Sequence, residues 1–184
     1  MPVSAVNLSK NACMPLIKNG AIAEDVWQFS ADNAKLAEQG PLAVTLARWQ
    51  RDKALLRARS EPLGLLMLSG ERVDDIVADL KEFELIALDF PTFRDGRPYS
   101  AARLLRERYG FAGELRAMGD VSRDQFLFMY RCGFNAFQVT NGEALEAWLR
   151  AVSEISIWYQ PTNDPRAALS VLRHRQTAAE WVAT

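Results

Sequence analysis

The sequence predicts an α/β protein, with a parallel sheet of about four βα units and a small N-terminal β and helix region. From residue 63 onward, short apolar runs of strand length alternate four times with segments of helical periodicity. Capping signals and glycines stand where these helices should begin and end. The 184-residue chain is 49% hydrophobic and 24% charged, which suits a soluble globular core.

Residues 1–60 predict an N-terminal β-hairpin and helix region. An Asn19-Gly20 dipeptide between apolar residues is typical of a two-residue hairpin turn. The apolar residues at 26–29 then predict a short strand. Residues 41–59 predict a helix, because apolar side chains recur at roughly helical spacing after an initial proline.

Residues 61–160 predict the parallel α/β domain, and 161–184 a C-terminal extension. The predicted strands cover 65–68, 85–90, 114–118 and 136–140. The predicted helices cover 72–80, 99–109, 123–131 and 143–152. An open doubly wound sheet fits four units better than a closed eight-unit barrel, and a partial barrel is the alternative.

Composition and charge exclude several classes of function. The net charge of -1 gives no general attraction to nucleic acid or to an anionic membrane. The chain has no apolar run long enough to cross a bilayer, and its N-terminus lacks the features of a secretory signal. Cys13 and Cys132 lie far apart and form no CxxC pair, so we expect a cytoplasmic protein with reduced thiols.

The chain also lacks the residues of common cofactor and metal sites. With one histidine, His174, and two cysteines, it is poorly equipped to hold zinc, haem or an iron–sulfur cluster, although a carboxylate site for a hard cation remains open. No P-loop, GxGxxG or GxSxG motif is present. We therefore expect neither a metal nor a cofactor.

Polar residues follow the predicted strands, where parallel α/β folds bind ligands. Asp89 ends one strand, Asp120 follows the next, and Thr140 ends the last. If the strands are parallel, these ends lie along one edge of the sheet. Asp89 and Asp120 are then candidate catalytic residues for acid/base chemistry. The alternative is structural, with Asp89 holding the next loop and Asp120 capping a helix.

The segment 89–134 contains eight arginines, six acids and no lysine. Arginine suits carboxylate, phosphate or sulfate groups and also fixed ion pairs. The candidate residues for binding an anion or a partner are Arg94, Asp95, Arg97, Arg103, Arg106, Arg116, Arg123, Asp124 and Gln125. In the structural alternative, Arg103 and Arg106 form salt bridges with Glu107, Asp95 or Asp124. Arg116, inside a predicted strand, needs a carboxylate neighbour or an open face.

Four segments carry a resemblance to a known family. They are LDFPTFRDGRPYSAARLLR at 88–106, GELRAMGDV at 113–121, RDQ at 123–125 and RCGFNAF at 131–137. Over roughly residues 17–160, the chain resembles an uncharacterised bacterial family of unknown function that is encoded beside assimilatory sulfite reductase. Its members are often labelled probable oxidoreductases of sulfite reduction.

The resemblance implies an accessory protein of assimilatory sulfate and sulfite reduction. Such a protein would dock on sulfite reductase or its electron donor through the arginine-rich surface at 94–131, and a small oxyanion could bind there. The alternative is a small enzyme acting on a sulfur- or phosphate-bearing metabolite. Its acid/base would be Asp89 or Asp120, with an arginine clamp from Arg94, Arg97 or Arg123. A third, redox role would use Cys132, but its apolar neighbours predict a buried structural thiol.

Overall fold

The computed structural model describes residues 15–139 and 144–153. Its strands form one eight-stranded sheet in the order β2-β1-β8-β7-β6-β5-β4-β3. The strands are β1 Leu16–Lys18, β2 Ala21–Ala23, β3 Gln28–Ser30, β4 Leu42–Thr45, β5 Leu63–Met67, β6 Leu85–Phe90, β7 Glu114–Gly119 and β8 Ala136–Gln138. Strands β3 to β8 are parallel, whereas β1 is antiparallel to both β8 and β2. The α/β class and the parallel sheet are therefore confirmed.

The helices contribute apolar side chains to one large core on the same side of the sheet. They are α1 Leu46–Arg57, a 3₁₀ helix at Val73–Glu82, α2 Arg97–Arg103, α3 Phe126–Arg131 and α4 Ala144–Ser153. A π-helical turn at Leu104–Arg108 extends α2, and a 3₁₀ turn at Arg123–Gln125 precedes α3. Among residues 15–139 and 144–153, no helix packs on the opposite face of the sheet.

The sheet is a partial barrel rather than a doubly wound sheet. From β3 to β8, each strand lies beside the next one in the chain, so the strand order never reverses. A doubly wound sheet needs such a reversal, and the expectation of one was wrong. Periodicity locates strands and helices, but it does not encode the direction in which each new strand is added to the sheet.

The short link between β2 and β3 requires the sheet to curl. These strands form its opposite edges, yet only residues 24–27 separate them in the chain. Five Cα–Cα steps span at most about 19 Å. The edges of a flat eight-stranded sheet would lie about 34 Å apart at the usual strand spacing. The two edges must therefore approach each other, as in an unclosed barrel.

The predicted helix at 41–59 was partly wrong, since its first residues form β4. Leu42, Ala43 and Val44 are buried and pair in parallel with β5, and α1 begins only at Leu46. Thr45 caps α1 by accepting a hydrogen bond from the backbone of Arg48 at 3.2 Å. A short apolar run fits a buried strand as well as a helix. Because β4 adds another strand–helix pair, the count of four units is not confirmed.

The N-terminal hairpin is confirmed, and its strands join the sheet that the later strands form. Asn19 and Gly20 make its turn with φ of 51° and 82°, the left-handed backbone that this dipeptide favours. The predicted strands at 85–90 and 114–118 are also confirmed, as β6 and β7. Thr140 and the extension at 161–184 lie outside the described residues.

The helix-free face of the sheet is closed near the amino ends of the strands. Arg116 of β7 is fully buried there, and its guanidinium lies 2.7 Å from Glu114 and 2.8 Å from Asp25. The Arg116 guanidinium also lies over the ring of Phe29, 5.7 Å from its centroid. Side chains therefore fill the amino end of the curl.

Candidate functional site

The carboxyl ends of β6 and β7 meet at one edge, as the sequence predicted. Phe90 pairs with Gly119, and the backbone of Asp120 donates to the carbonyl of Phe90 at 2.8 Å. Asp89 and Asp120 therefore lie at the same end of neighbouring strands. A parallel barrel of this kind places its functional residues at this end.

Asp120 and Gln125 hold the loop that follows β6. The backbone of Phe93 donates to Asp120 Oδ2 at 2.8 Å, and Gln125 Nε2 donates to the carbonyl of Phe93 at 3.0 Å. The backbone of Asp95 also donates to Thr92 within the loop at 3.0 Å. The carboxylate of Asp120 therefore supports the loop after β6. This is a structural role rather than the acid/base role that the sequence also allowed.

Asp95 and Arg97 form a two-pronged ion pair within the same loop. Arg97 donates from Nε to Oδ1 at 2.9 Å and from Nη2 to Oδ2 at 2.6 Å, while Ser69 donates to Oδ2 at 2.5 Å. The guanidinium of Arg97 holds the pKa of Asp95 well below its usual value. The Nη1 atom of Arg97 faces Gly70, 2.9 Å from where a Cβ would be. The pair therefore joins this loop to the end of β5 and leaves Nη1 outside the ion pair.

A cleft of about 280 Å³ opens between the ends of β5 and β6. Its apolar lining includes Met67, Leu68, Val73, Leu88, Pro98, Ala101 and Leu104. Asp89 reaches this cleft half-buried, and no hydrogen bond or ion pair to its carboxylate occurs among the described residues. Burial, with a smaller contribution from Asp95, raises the pKa of Asp89. Of the two predicted acids, Asp89 is the one that keeps a free carboxylate in a cleft.

Glu71 is a second half-buried carboxyl of the cleft, and the sequence did not point to it. It accepts a hydrogen bond from the backbone of Leu68 at 2.8 Å, and burial raises its pKa. It lies in the turn after β5, where no motif marks it. Its only sequence signal is its position just beyond a parallel strand.

Gly119 makes room for the carboxylate of Asp89. A Cβ at Gly119 would lie 2.9 Å from Asp89 Oδ1 and would also collide with the carbonyl of Phe90. Its φ of 90° is further reason for glycine at this position. Glycine at the last position of β7 therefore lets the ends of β6 and β7 approach each other beside the cleft.

A second feature lies on the outer side of the same loop, and we call it the aromatic–arginine surface. It consists of Phe93, Arg94, Arg123, Asp124 and Phe128, all of which are exposed. The rings of Phe93 and Phe128 are 50% and 55% exposed. Within the described part of the chain, neither Arg94 nor Arg123 has a hydrogen-bond or ion-pair partner for its guanidinium. The surface thus offers apolar rings and unpaired cations together.

Close contacts join the two sides of this surface. Gln125, next to Asp124, donates a hydrogen bond to the backbone carbonyl of Phe93 at 3.0 Å. The ring of Tyr99 lies 4.8 Å from that of Phe128, centroid to centroid, and 5.1 Å from that of Phe90 in the core. The ring of Phe128 is therefore connected to the core through the ring of Tyr99.

The other predicted arginines have structural partners. Arg103 pairs with Glu107 at 3.0 Å, one of its expected partners. Arg106 instead donates to backbone carbonyls, those of Gly133 at 2.9 Å, Gly113 at 3.0 Å and Phe111. Arg116 is enclosed in the sheet interior with the carboxylate neighbours that a buried arginine requires. Arg103, Arg106 and Arg116 therefore do not join Arg94 and Arg123 in one exposed binding surface.

Further features of the described residues limit the chemistry of the site. Cys132 is buried as predicted, and burial raises its pKa to about 11. Among residues 15–139 and 144–153, no group of three or more histidine, cysteine or acidic side chains is placed to hold a metal ion. Over the same ranges, no helix combines the length and apolarity needed to cross a membrane.

Comparison with known families gives one match. The family described as "Bacterial protein of unknown function (DUF934)" matches residues 64–170, more than half of the 184-residue chain. No curated protein and no solved structure matches the chain. The matched range runs from β5 through α4, so it includes both the cleft and the aromatic–arginine surface.

Proposed function

The chain belongs to this bacterial family of unknown function, and from that premise we propose that it is an accessory protein of assimilatory sulfate and sulfite reduction. It docks on sulfite reductase or on that enzyme's electron donor. The pathway comes from the resemblance to a family encoded beside assimilatory sulfite reductase. The docking is supported by one observation, the exposed aromatic rings and unpaired guanidinium groups of the aromatic–arginine surface.

The composition of this surface is that of a protein interface. Aromatic residues and arginine are enriched at interfaces and among the residues that dominate binding energy. Arg94 and Arg123 are free to form two-pronged hydrogen bonds with carboxylates of a partner. The partner should therefore present aspartate or glutamate side chains around recesses that accept the rings of Phe93 and Phe128.

The support beneath the surface also favours docking. The loop that carries Phe93 and Arg94 is held by Asp120 and Gln125, and the pairing of Asp95 with Arg97 ties it to β5. A segment already held in one conformation loses less conformational entropy on binding than a free loop. Arg97 and Asp95 thus contribute to docking by positioning the loop.

The test is direct binding of the full chain to purified sulfite reductase and, separately, to its electron donor. The double variant Arg94→Glu and Arg123→Glu should weaken the complex by about tenfold or more, because it reverses two interface charges. Lys35→Glu is the matched control, since Lys35 is exposed on a different loop, and it should change the Kd by less than about twofold. A complex that survives the double variant in folded form would exclude this surface, and no complex with either protein would exclude the function.

The cleft supports a second candidate function, a small enzyme acting on a sulfur- or phosphate-bearing metabolite. Asp89 is half-buried there with a raised pKa, which suits a group that exchanges a proton. Arg97 lines the same cleft, and its Nη1 atom is available to hold an anionic group. A crystal soaked with a metabolite that carries a sulfate or phosphate group should show that group at Arg97 Nη1, and a cleft that stays empty would count against the anion clamp.

Complementation separates the two candidates. A strain that lacks the gene should be grown on sulfate, sulfite or sulfide, each as the sole sulfur source. If docking is the function, the Arg94→Glu and Arg123→Glu variant should fail to restore growth while Asp89→Asn restores it. The reverse pattern would indicate the enzyme. Equal growth of the strain without the gene on all three sources would contradict a role in sulfur assimilation.

A further inference from the structure

The cleft beside Asp89 has an excess of negative charge. Its ionisable lining consists of the acids Glu71, Asp74 and Asp89 and the arginines Arg72 and Arg97. Both arginines are already engaged, Arg72 with Asp74 at 2.9 Å and Arg97 with Asp95 at 2.6 Å. The carboxylates of Asp89 and Glu71 have no cationic partner among the described residues. A free oxyanion entering this cleft would meet more acid than base.

The burial of these two carboxyls makes the lack of a cationic partner costly. Both are half-buried against an apolar wall, where water compensates an ionised carboxylate less well than it does on an open surface. A cation bound between the walls would supply the absent partner. An anion without an ammonium group would instead be repelled, and repulsion is stronger in a partly enclosed site than in bulk water.

We propose that this cleft binds a small organic ammonium compound with an apolar body. The ammonium group lies at Asp89, the apolar body packs on Leu68, Leu88 and Leu104, and Glu71 adds negative charge elsewhere in the lining. The site is separate from the docking surface. Where the second candidate function holds, the proposal specifies its metabolite, which must carry an ammonium group in addition to its anionic group.

An organic cation fits the cleft better than a metal ion does. A hard cation such as calcium or magnesium needs about six oxygen ligands, whereas this lining is mostly apolar and offers two carboxyls without an ion-pair partner among the described residues. The volume of about 280 Å³ is close to the lower end of small-molecule sites. The free Nη1 of Arg97 adds a place for a hydrogen-bond acceptor at the other side of the ligand.

The test uses three probes of similar shape and different charge with the full chain: 2-phenylethylamine, 2-phenylethanol and 3-phenylpropionate. Binding is measured by ligand-observed NMR and calorimetry. The amine should bind about tenfold more tightly than the alcohol, which is typical for a charged hydrogen bond, and the acid should bind most weakly. An acid that binds best, an amine no better than the alcohol, or no binding by any probe at millimolar concentration would overturn the proposal.

Two variants assign the effect to the cleft. Asp89→Asn should remove the preference for the amine, while Ala101→Leu should weaken all three probes because it fills the cleft. Glu61→Gln is the control, since it removes an exposed charge outside the cleft and should keep the preference. An amine preference that persists in folded Asp89→Asn would overturn the assignment. If Asp89→Asn does not fold, the order of the three affinities for the unaltered chain still tests the proposal. Neither measurement depends on whether the protein docks on sulfite reductase or its electron donor.

Discussion

Arg116 and Asp25, which are 91 positions apart in the chain, form an ion pair of 2.8 Å inside the curled sheet. Arg116 belongs to β7 in the middle of the sheet, and Asp25 belongs to the link between the two edge strands. The side chain of Arg116 is fully buried, and that of Asp25 is 18% exposed. The pair therefore holds the link across the amino end of the curl, opposite the end that carries the cleft.

Asp25→Asn should destabilise the protein by about 1–3 kcal/mol, because it leaves part of the charge of a buried arginine without a partner. Asparagine still accepts the hydrogen bond from the backbone of Trp27 that Asp25 accepts now. The measurement is urea unfolding of both proteins. Glu38→Gln is the control, since it breaks an exposed pair with Lys35 and should cost less than about 0.5 kcal/mol. Equal losses in the two variants would show that the buried pair contributes nothing.

Gly119→Ala should cost about 2 kcal/mol or more, because a new Cβ would strike the carbonyl of Phe90 and the backbone has a positive φ. Gly96→Ala is the matched control. Its Cβ would meet nothing within 4 Å and its φ is -86°, so its effect should stay within about 1 kcal/mol. Thermal and urea unfolding give both values. A Gly119→Ala protein as stable as the control would mean that the strand ends are looser than the structure shows.

The sequence predicts the central strands well because they are continuous apolar runs that end in polar residues. β6 and β7 are the clearest cases. The few apolar residues of β4 suit the start of a helix as well as a strand, so their pattern does not distinguish the two elements. The partial barrel was not the favoured arrangement, because strand order depends on how successive units are added and not on the pattern within each unit.

The sequence predicts those residues of the candidate site that lie at or soon after the end of a strand, because the carboxyl ends of parallel strands lie at one edge of the sheet. Asp89 and Arg97 lie at the cleft for that reason. Glu71 has no motif, so only the fold brings it there. Phe126 and Phe128 lie two positions apart on one helix and so face different sides, but the sequence does not say which is buried: Phe126 is 2% exposed and Phe128 is 55% exposed. Periodicity suggests which residues could be core, but neighbouring loops decide which of them are covered.

Asp95→Asn should reduce stability near neutral pH by more than it does in acid. The guanidinium of Arg97 lowers the pKa of Asp95 in the folded protein. The resulting stabilisation is complete above the unfolded aspartate pKa of about 3.9 and is lost as the pH falls below it. Urea unfolding at pH 7, 5 and 3 should show the difference between the two proteins shrinking toward pH 3. The control is Glu61→Gln, whose difference should stay small throughout, and a constant loss in Asp95→Asn would contradict the pairing.

Cys132 should react slowly with a thiol reagent in the folded protein. Burial raises its pKa from 9.0 to about 11, so the reactive thiolate is about a hundredfold rarer than for a free cysteine. The measurement uses a Cys13→Ser variant, so that Cys132 is the only thiol left. Its labelling rate at pH 8 should rise about a hundredfold or more in urea. Rapid labelling without urea would instead support the redox role for Cys132.

Asp89→Asn should make the protein more stable near neutral pH, the opposite of the effect at Asp95. Burial raises the pKa of Asp89, so ionising this carboxyl costs the folded protein free energy. The cost appears as the pH rises from the unfolded pKa of about 3.9 through the folded pKa, and asparagine does not incur it. In urea unfolding, the variant should therefore have the higher free energy of unfolding at pH 7, and this difference should disappear near pH 3. A carboxylate kept at a cost to stability is typical of a functional group rather than a structural one. If Asp89→Asn is less stable than the unaltered protein at pH 7, Asp89 has a structural partner, and its role in the cleft is refuted.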